Sequence, residues 1–231
     1  ANVFVEGEET SLFYGFETDG IYQTGDELLP TFGTGPALPG DVKIIDQNGD
    51  GQIDINDRTF IGNPNPDFIY GFNFNIKHKR FSANILFNGV YGNDIANGNL
   101  LQLNNAEALT YLNIAPDAYF NAWRPNAQTN TYPRIGYTTN GMPAMTDRII
   151  EDGSYLRLSN LTVSYDVDVD KIDSISNLKV FLAGQNLITW TDYSGYDPEI
   201  SSFLYTGLIN GVDWNGRANA RTFLFGVNIG F

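Results

Sequence analysis

The 231-residue chain carries a formal net charge of −14, contains no Cys and has a single His, His78, set between Lys77 and Lys79. These facts exclude disulfides and thiol chemistry, and they argue against nucleic acid, whose phosphates an acidic surface repels. No initiator Met, signal peptide or run of apolar residues long enough for a membrane helix is present, so the sequence reads as a processed product or a fragment.

The charge is concentrated at the start. Up to Pro66 there are 12 acidic residues against only Lys43 and Arg58. This region is punctuated by Gly and Pro. Short apolar runs at Ser11-Leu-Phe-Tyr-Gly-Phe16 and Val42-Lys-Ile-Ile45 predict short strands among ordered loops. Between Pro30 and Gly40, repeated Pro and Gly exclude both helix and ladder interior.

Within the acidic region, Asp46, Asn48, Asp50, Asp54 and Asp57 occupy positions 1, 3, 5, 9 and 12 of a loop, with Gly51 at position 6. That is the spacing of an EF-hand calcium loop. The Gly permits the sharp turn, and the backbone carbonyl of Gln52 at position 7 completes the oxygen shell. Asp57 stands where a Glu is usual, and its shorter arm suits bidentate binding less well. Ile53 at position 8 is placed to anchor the loop in a small core. A strand rather than a helix is predicted before the loop, which excludes a helical sensor. Two readings stay open: a structural Ca²⁺ folding an acidic loop, or a turn rich in Asp and Gly with no ion.

From Phe68 the pattern becomes a clean alternation. Phe68, Tyr70, Phe72, Phe74 and Ile76 share one face; a turn at His78-Lys-Arg80 follows, and Phe81, Ala83, Ile85 and Phe87 return on that face. Ser82, Asn84, Leu86 and Asn88 take the other side. A long excursion from about Gly92 to Gly153 includes one short helix candidate, Asn104 to Asn113. Next come strands from Tyr155 to Asp168 and from Leu178 to Trp190, joined by a short polar connection. Leu161, Val163, Tyr165 and Val167 share a face of the first; in the second, alternation blurs after Gly184. After a second long loop, Phe223, Phe225, Val227, Ile229 and Phe231 alternate with small or polar residues.

A bare apolar strand at a sheet edge is an aggregation hazard in water, whereas closure into a membrane barrel removes the edge. Five strands joined alternately by short and long connections put every short turn on one side, as outer-membrane barrels do. The fold expected is therefore all-β: the carboxyl-terminal portion of a large transmembrane antiparallel β-barrel with long extracellular loops. Residues 1–66 are assigned to an extracellular loop region and 67–231 to the last five barrel strands. Five strands cannot close alone, so the rest of the barrel is expected elsewhere in the protein.

Several stretches, in order across nearly the whole chain, carry a family resemblance: Phe13-Tyr-Gly-Phe-Glu-Thr-Asp-Gly-Ile-Tyr22, Asp46-Gln-Asn-Gly-Asp-Gly51 with Asp57-Arg58, and Gly62-Asn-Pro-Asn-Pro-Asp-Phe-Ile-Tyr-Gly-Phe72. Further on come Gly89-Val-Tyr-Gly-Asn-Asp94, Trp123-Arg-Pro-Asn126 with Pro133-Arg134, Glu151-Asp-Gly-Ser-Tyr-Leu-Arg-Leu158, Gly184-Gln-Asn-Leu187 and Ser194-Gly-Tyr-Asp-Pro-Glu199. Together they resemble the carboxyl-terminal part of SusC/RagA-type TonB-dependent outer-membrane transporters. The resemblance implies an importer of oligosaccharides or peptides in the bacterial outer membrane. It implies a SusD-like surface lipoprotein as partner, and TonB acting through segments outside this chain. The stretch Asp213-Trp-Asn-Gly-Arg-Ala-Asn-Ala220 departs from the family, which often has a Tyr-Pro pair there.

Sugars dock on flat aromatic faces beside polar groups, which makes the loop aromatics Trp123, Trp190, Tyr193, Tyr196, Tyr205 and Trp214 candidate ligand contacts. Loop packing or an aromatic girdle explains the same residues. No catalytic motif surrounds the carboxylates, so a non-enzyme is expected. The alternative is a secreted, calcium-stabilised β-sandwich module that binds glycan.

Overall fold

The computed structural model describes every residue except 1, 33–35, 105–112, 136–144, 171, 173, 200 and 203–208. Strands β1 to β5 occupy Asn2–Val3, Leu12–Phe16, Thr18–Ile21, Val42–Ile44 and Arg58–Gly62. The long pair β6 (Phe68–His78) and β7 (Phe81–Tyr91) is followed by the short β8 (Asp94–Asn97) and β9 (Ile150–Asp152). β10 (Tyr155–Val167) and β11 (Asn177–Thr191) are long, β12 (Val212–Asp213) is short, and β13 (Thr222–Gly230) closes the series. Two five-residue helices, α1 (Asn99–Leu103) and α2 (Pro116–Phe120), lie in the long excursion. The helix expected from Asn104 to Asn113 falls almost wholly outside the described residues.

The chain divides into two compact units, one built from Pro66–Asn93, Asp152–Glu199 and Arg217–Phe231 and the other from the remaining segments. The first unit is a five-stranded antiparallel sheet in the order β13-β11-β10-β7-β6, a simple meander. β6 and β7 meet through a two-residue turn in which Lys79 adopts φ 53°, so His78 pairs with Phe81. Such a turn matches the right-handed twist of its strands.

Register lines up side chains across the whole sheet. Ile76, Ala83, Val163, Leu182 and Phe225 form one continuous row, all on the same face. The adjacent row, Asn75, Asn84, Thr162, Ala183 and Leu224, points the other way. One face is thus a sheet of Phe, Ile, Leu and Val, the other mainly amides, hydroxyls and small residues. Asn84 donates to the side-chain oxygens of Asn73 and Asn75, at 2.8 and 2.7 Å. The apolar face stands open: Phe72 is 52% exposed and Phe225 is 70% exposed. In a water-soluble sandwich such a face is covered by a second sheet, so this exposure counts against the β-sandwich alternative.

One irregularity resolves the blurred alternation after Gly184. Pairing of β10 shifts between Leu158 and Asn160 on both sides, leaving Ser159 without a register partner, and on β11 the extra residues Asn186 and Leu187 sit opposite it. Asn186 adopts φ 51° to make the kink. A bulge inverts the phase of alternation. Leu156 and Leu158 therefore share the apolar face with Leu161 and Val163 despite their opposite parity.

The second unit is built from three small sheets: β1-β2-β5, β3-β4 and β12-β8-β9. Its core contains Phe16, Ile44 and Ile53, with Leu29 and Phe32 packed against them. The expected strands at 11–16 and 42–45 are β2 and β4. Between Pro30 and Gly40 the described residues form only isolated bridges.

Candidate functional site

The most elaborate polar cluster lies at one end of the five-stranded sheet, on its polar face. The Arg157 side chain, 3% exposed, projects from β10 beside Thr189 of β11, whose hydroxyl accepts from Nε at 2.9 Å. Its two terminal nitrogens each meet a carboxylate at 2.5 Å: Nη1 donates to Glu199 and Nη2 to Asp197. Both carboxylates belong to the segment after β11, so the arginine ties that segment to the wall.

Around this pair each carboxylate oxygen accepts at least one hydrogen bond. Tyr155 donates its hydroxyl to Glu199 at 2.6 Å, and its ring lies 5.3 Å beneath the guanidinium. Asp197 also accepts the backbone N–H groups of Glu199 and Asn219, both at 3.0 Å. Burial works against charge on Asp197, but those two N–H groups and Arg157 hold its carboxyl below the usual carboxylate range. A buried ion pair repays its desolvation only when its remaining hydrogen bonds are made, and here they are. Both stretches, Glu151 to Leu158 and Ser194 to Glu199, are among those that carry the family resemblance, but nothing in their sequence pairs them. The available signal was Arg157 set between Leu156 and Leu158 near the start of a strand, a residue type that needs a carboxylate partner when buried.

The acidic loop is curled by its own side chains. Asp46, at its first position, accepts the N–H groups of Gly49 and Gly51 at 2.8 Å, and these hold its carboxyl below the ordinary range, Gly51 foremost. Gly49 and Gly51 take φ 72° and 83°, which side-chain-bearing residues resist. Asn48 and Asp50 touch, the amide donating at 3.2 Å. Asp54 faces the N–H of Asn56 at 2.7 Å, and the Gln52 N–H donates to Asp50. Asp57 is fully buried, taking the N–H of Gln47 at 3.0 Å and that of Asp54 at 2.7 Å. Ile53 is 1% exposed and sits in the core with Phe16 and Ile44, its backbone bonded to Pro30 and Phe32. The loop thus has the expected anchor and turn. Its carboxylates are engaged with backbone N–H groups, and no set of three or more acidic, His or Cys groups close enough to hold a metal ion occurs among the described residues.

The six aromatic candidates are scattered. Trp123 is 5% exposed, donates its indole N–H to Gln23 at 3.0 Å and packs on Gly40, where an added Cβ would lie 2.6 Å from the ring. Trp190 stands on the apolar face, its ring 6.4 Å from Phe87, away from the polar face where Arg157 lies. That is where an aromatic girdle belongs. Tyr193 is buried over Gly195, and Trp214 packs on Gly98. Tyr196 alone is widely open, at 84%, and it neighbours Asp197. Tyr205 lies outside the described residues.

No family model matches the chain. The TonB-dependent receptor P3 of Formosa agariphila is 35% identical over 237 residues, a match covering 98% of this chain and 22% of that relative. The TonB-dependent receptor SusC of Bacteroides thetaiotaomicron is 27% identical over 198 residues, covering 81% of the chain and 17% of SusC. Among solved structures, the RagAB peptide transporter superposes with a TM-score of 0.73 at 26% identity, covering 95% of this chain and 22% of that one. The chain belongs to the SusC/RagA-type TonB-dependent receptors. It spans under a quarter of the length of the curated P3 and SusC relatives. As in that family, its place is the outer membrane, and its five-stranded sheet is a portion of barrel wall whose apolar face meets lipid.

Proposed function

We propose that the chain supplies wall and outer vestibule to a TonB-dependent importer of oligosaccharides or peptides. The observation that supports this most is the two-faced sheet, apolar in register across all five strands on one side and amide- and hydroxyl-lined on the other. A wall between lipid and a wet lumen needs that division. The structural relative named a peptide transporter supports peptides as one of these cargo classes. In this reading residues 67–231 provide the last five membrane strands and residues 1–66 the external loop region. A SusD-like lipoprotein covers the outer face, and TonB acts through parts of the protein outside this chain. The role is binding and passage without catalysis, as the receptor names of the relatives suggest.

The acidic loop is proposed to hold a structural Ca²⁺. Its spacing, its curl around Asp46 and the buried Ile53 anchor support this. Asp46, Asn48, Asp50, Asp54, Asp57 and the Gln52 carbonyl would supply the oxygens. Among the described aromatic candidates, Tyr196 is the one whose exposure best suits a cargo contact.

The test is a strain lacking the receptor, assayed for uptake of labelled oligosaccharides and peptides, with affinity purification of the intact receptor from the outer membrane. Uptake of one cargo class should fall on deletion, and a surface lipoprotein should co-purify. Unchanged uptake of both classes with no co-purifying lipoprotein would overturn the proposal.

A further inference from the structure

On the polar face of the five-stranded sheet the strands carry the charges Lys77, Arg157, Asp166 and Lys179. Arg157 is bound to Asp197 and Glu199, and Lys179 lies 3.4 Å from Asp166. Beyond the strand end, Asp168 holds Arg80 at 2.6 Å. Lys77 alone is left over: its ammonium makes no ion pair or hydrogen bond among the described residues. It lines an open cavity of about 280 Å³ that lies over β6, β7 and β10. The cavity is close to the β6–β7 turn, at the opposite end of the sheet from Arg157.

The lining is rich in donors and holds no carboxylate among the described residues. Lys77 pairs with Ser82, and Ser82 pairs with Ser164, so one ammonium and two hydroxyls stand in a single row across three strands. Neither hydroxyl makes a hydrogen bond among the described residues. Asn84 donates to the side-chain oxygens of Asn73 and Asn75, which leaves the amide N–H groups of Asn75 unspent beside Lys77. A cation is repelled here. A sugar ring has no aromatic face to stack on, since no aromatic residue lines the cavity. What fits is an anion whose oxygens take several N–H and O–H groups at once, as a carboxylate does. The source of that carboxylate follows from place. The apolar face of the sheet meets lipid, so the polar face with Lys77 lines the lumen, and large outer-membrane transporter barrels carry a plug there. The chain spans 22% of the P3 relative, which leaves the bulk of a receptor of that length to supply it. A neighbouring barrel strand would pair along the free edge of β6, whereas the cavity lies on the other side, over β7 and β10.

We propose that Lys77, with Ser82 and Ser164, forms a socket in the barrel wall for an Asp or Glu carboxylate of the plug, the part of the receptor that fills the lumen. An ammonium enclosed without a counter-charge is costly, and a carboxylate brought to it as water is excluded is held more strongly than in bulk solvent. The socket pins the plug to the wall near the short-turn side, and the carboxylate has to leave Lys77 before the plug can move there. It requires the sheet to be barrel wall and is indifferent to the cargo imported.

The experiment treats the intact receptor in detergent with a zero-length carbodiimide, which joins a lysine amine to a carboxylate in direct contact, and maps the products by mass spectrometry. Lys77 is expected to couple to an Asp or Glu of the plug. Lys77→Met then speeds hydrogen exchange in the plug segment carrying that carboxylate about tenfold, the value of a hydrogen bond to a charged group. Lys77→Arg removes the crosslink but keeps exchange slow, and Ser82→Ala gives a smaller rise. Heat-modifiable mobility stays unchanged in all three variants, which shows that the barrel has formed. A Lys77 that merely fills space would let Met serve as well as Arg. Coupling to a carboxylate within residues 1–231 or in another barrel strand overturns the socket, as does coupling that appears only when an acidic peptide is added as cargo. So does a Lys77 labelled by an amine reagent as fully as the exposed turn residue Lys79, or plug exchange left unchanged by Lys77→Met. Uptake is not read in this assay, so failure of the socket and failure of the transport reading are separable.

Discussion

Replacing Arg157 by Met keeps the length of the side chain and removes the charge that holds the segment 192–199 on the wall. Three hydrogen bonds go with it, at 2.9, 2.5 and 2.5 Å. Glu199, with its side chain 36% exposed, regains water, whereas Asp197, 5% exposed, is left as a buried anion with only its two backbone donors. Breaking a buried pair from one side costs about 3–5 kcal/mol, and the partial rehydration places this case near ~3 kcal/mol. That is about a hundredfold more of the open segment at equilibrium. Limited proteolysis of the intact receptor in detergent, with cleavage in 192–199 mapped by mass spectrometry, reads this directly. Arg157→Met should be cut about a hundredfold faster, and adding Asp197→Asn should recover most of the difference, because the stranded charge is gone. Cleavage at the unsubstituted rate, or a double variant cut as fast as the single one, would refute the clamp.

The same clamp has a pH window. Because Asp197 sits below its ordinary range when folded, the open segment binds the proton more readily. The stabilisation is therefore complete above about pH 4–5, near the unperturbed carboxylate value, and is lost as pH falls through the lower folded value. Proteolysis at 192–199 should be flat from pH 8 to 5 and rise only below about 4, measured with an acid-active protease. On the sheet, Leu182→Arg puts a charge in the middle of the apolar row and should cost the barrel about 2–4 kcal/mol, whereas Thr162→Arg on the polar face should leave heat-modifiable mobility on gels unchanged. In the acidic loop, Asp57→Ala orphans the N–H groups of Gln47 and Asp54, about 1–3 kcal/mol, and should speed hydrogen exchange at those two amides. Ca²⁺ should slow exchange across 46–57 in the unsubstituted receptor and chelator should reverse it; no response to either would reject the ion.

The sheet was legible because alternation is a local property. Phe68 to Phe87 and Phe223 to Ile229 show their faces in sequence, and the structure places those residues as the pattern requires. Bulges are not legible that way, since a single extra residue inverts parity without changing composition. The loss of pattern after Gly184 was the visible trace of Asn186 and Leu187, two unpaired residues that leave the parity of β11 unchanged, whereas the single extra residue Ser159 inverts that of β10. The Asp46 loop was found by spacing, and Ile53 as its anchor followed from position alone. Nothing local tells that Asp57 turns inward onto backbone N–H groups, because its partners are set by the fold of the loop. The aromatics were the weakest ground: a Trp that packs, as Trp123 does on Gly40, and a Tyr that stands open, as Tyr196 does, have the same signature in sequence.

The bulge and the clamp are one device. In an uninterrupted strand Arg157 would share its face with Leu161, Val163 and Tyr165, which is the face that meets lipid. A guanidinium on that face costs about 0–1 kcal/mol near the interface and more toward the midplane, and it would have no carboxylate to receive it. The extra residue at Ser159 turns the first part of β10 by half a period. That puts Arg157 and Tyr155 on the polar face, with Leu156 and Leu158 in the apolar row beside Trp190 and Ile188. The same step that keeps the charge out of lipid delivers it to Asp197 and Glu199. A deletion of Ser159 should therefore do more than straighten a strand: it should expose 192–199 as Arg157→Met does and destabilise the barrel as Leu182→Arg does, two losses with separate readouts from one residue.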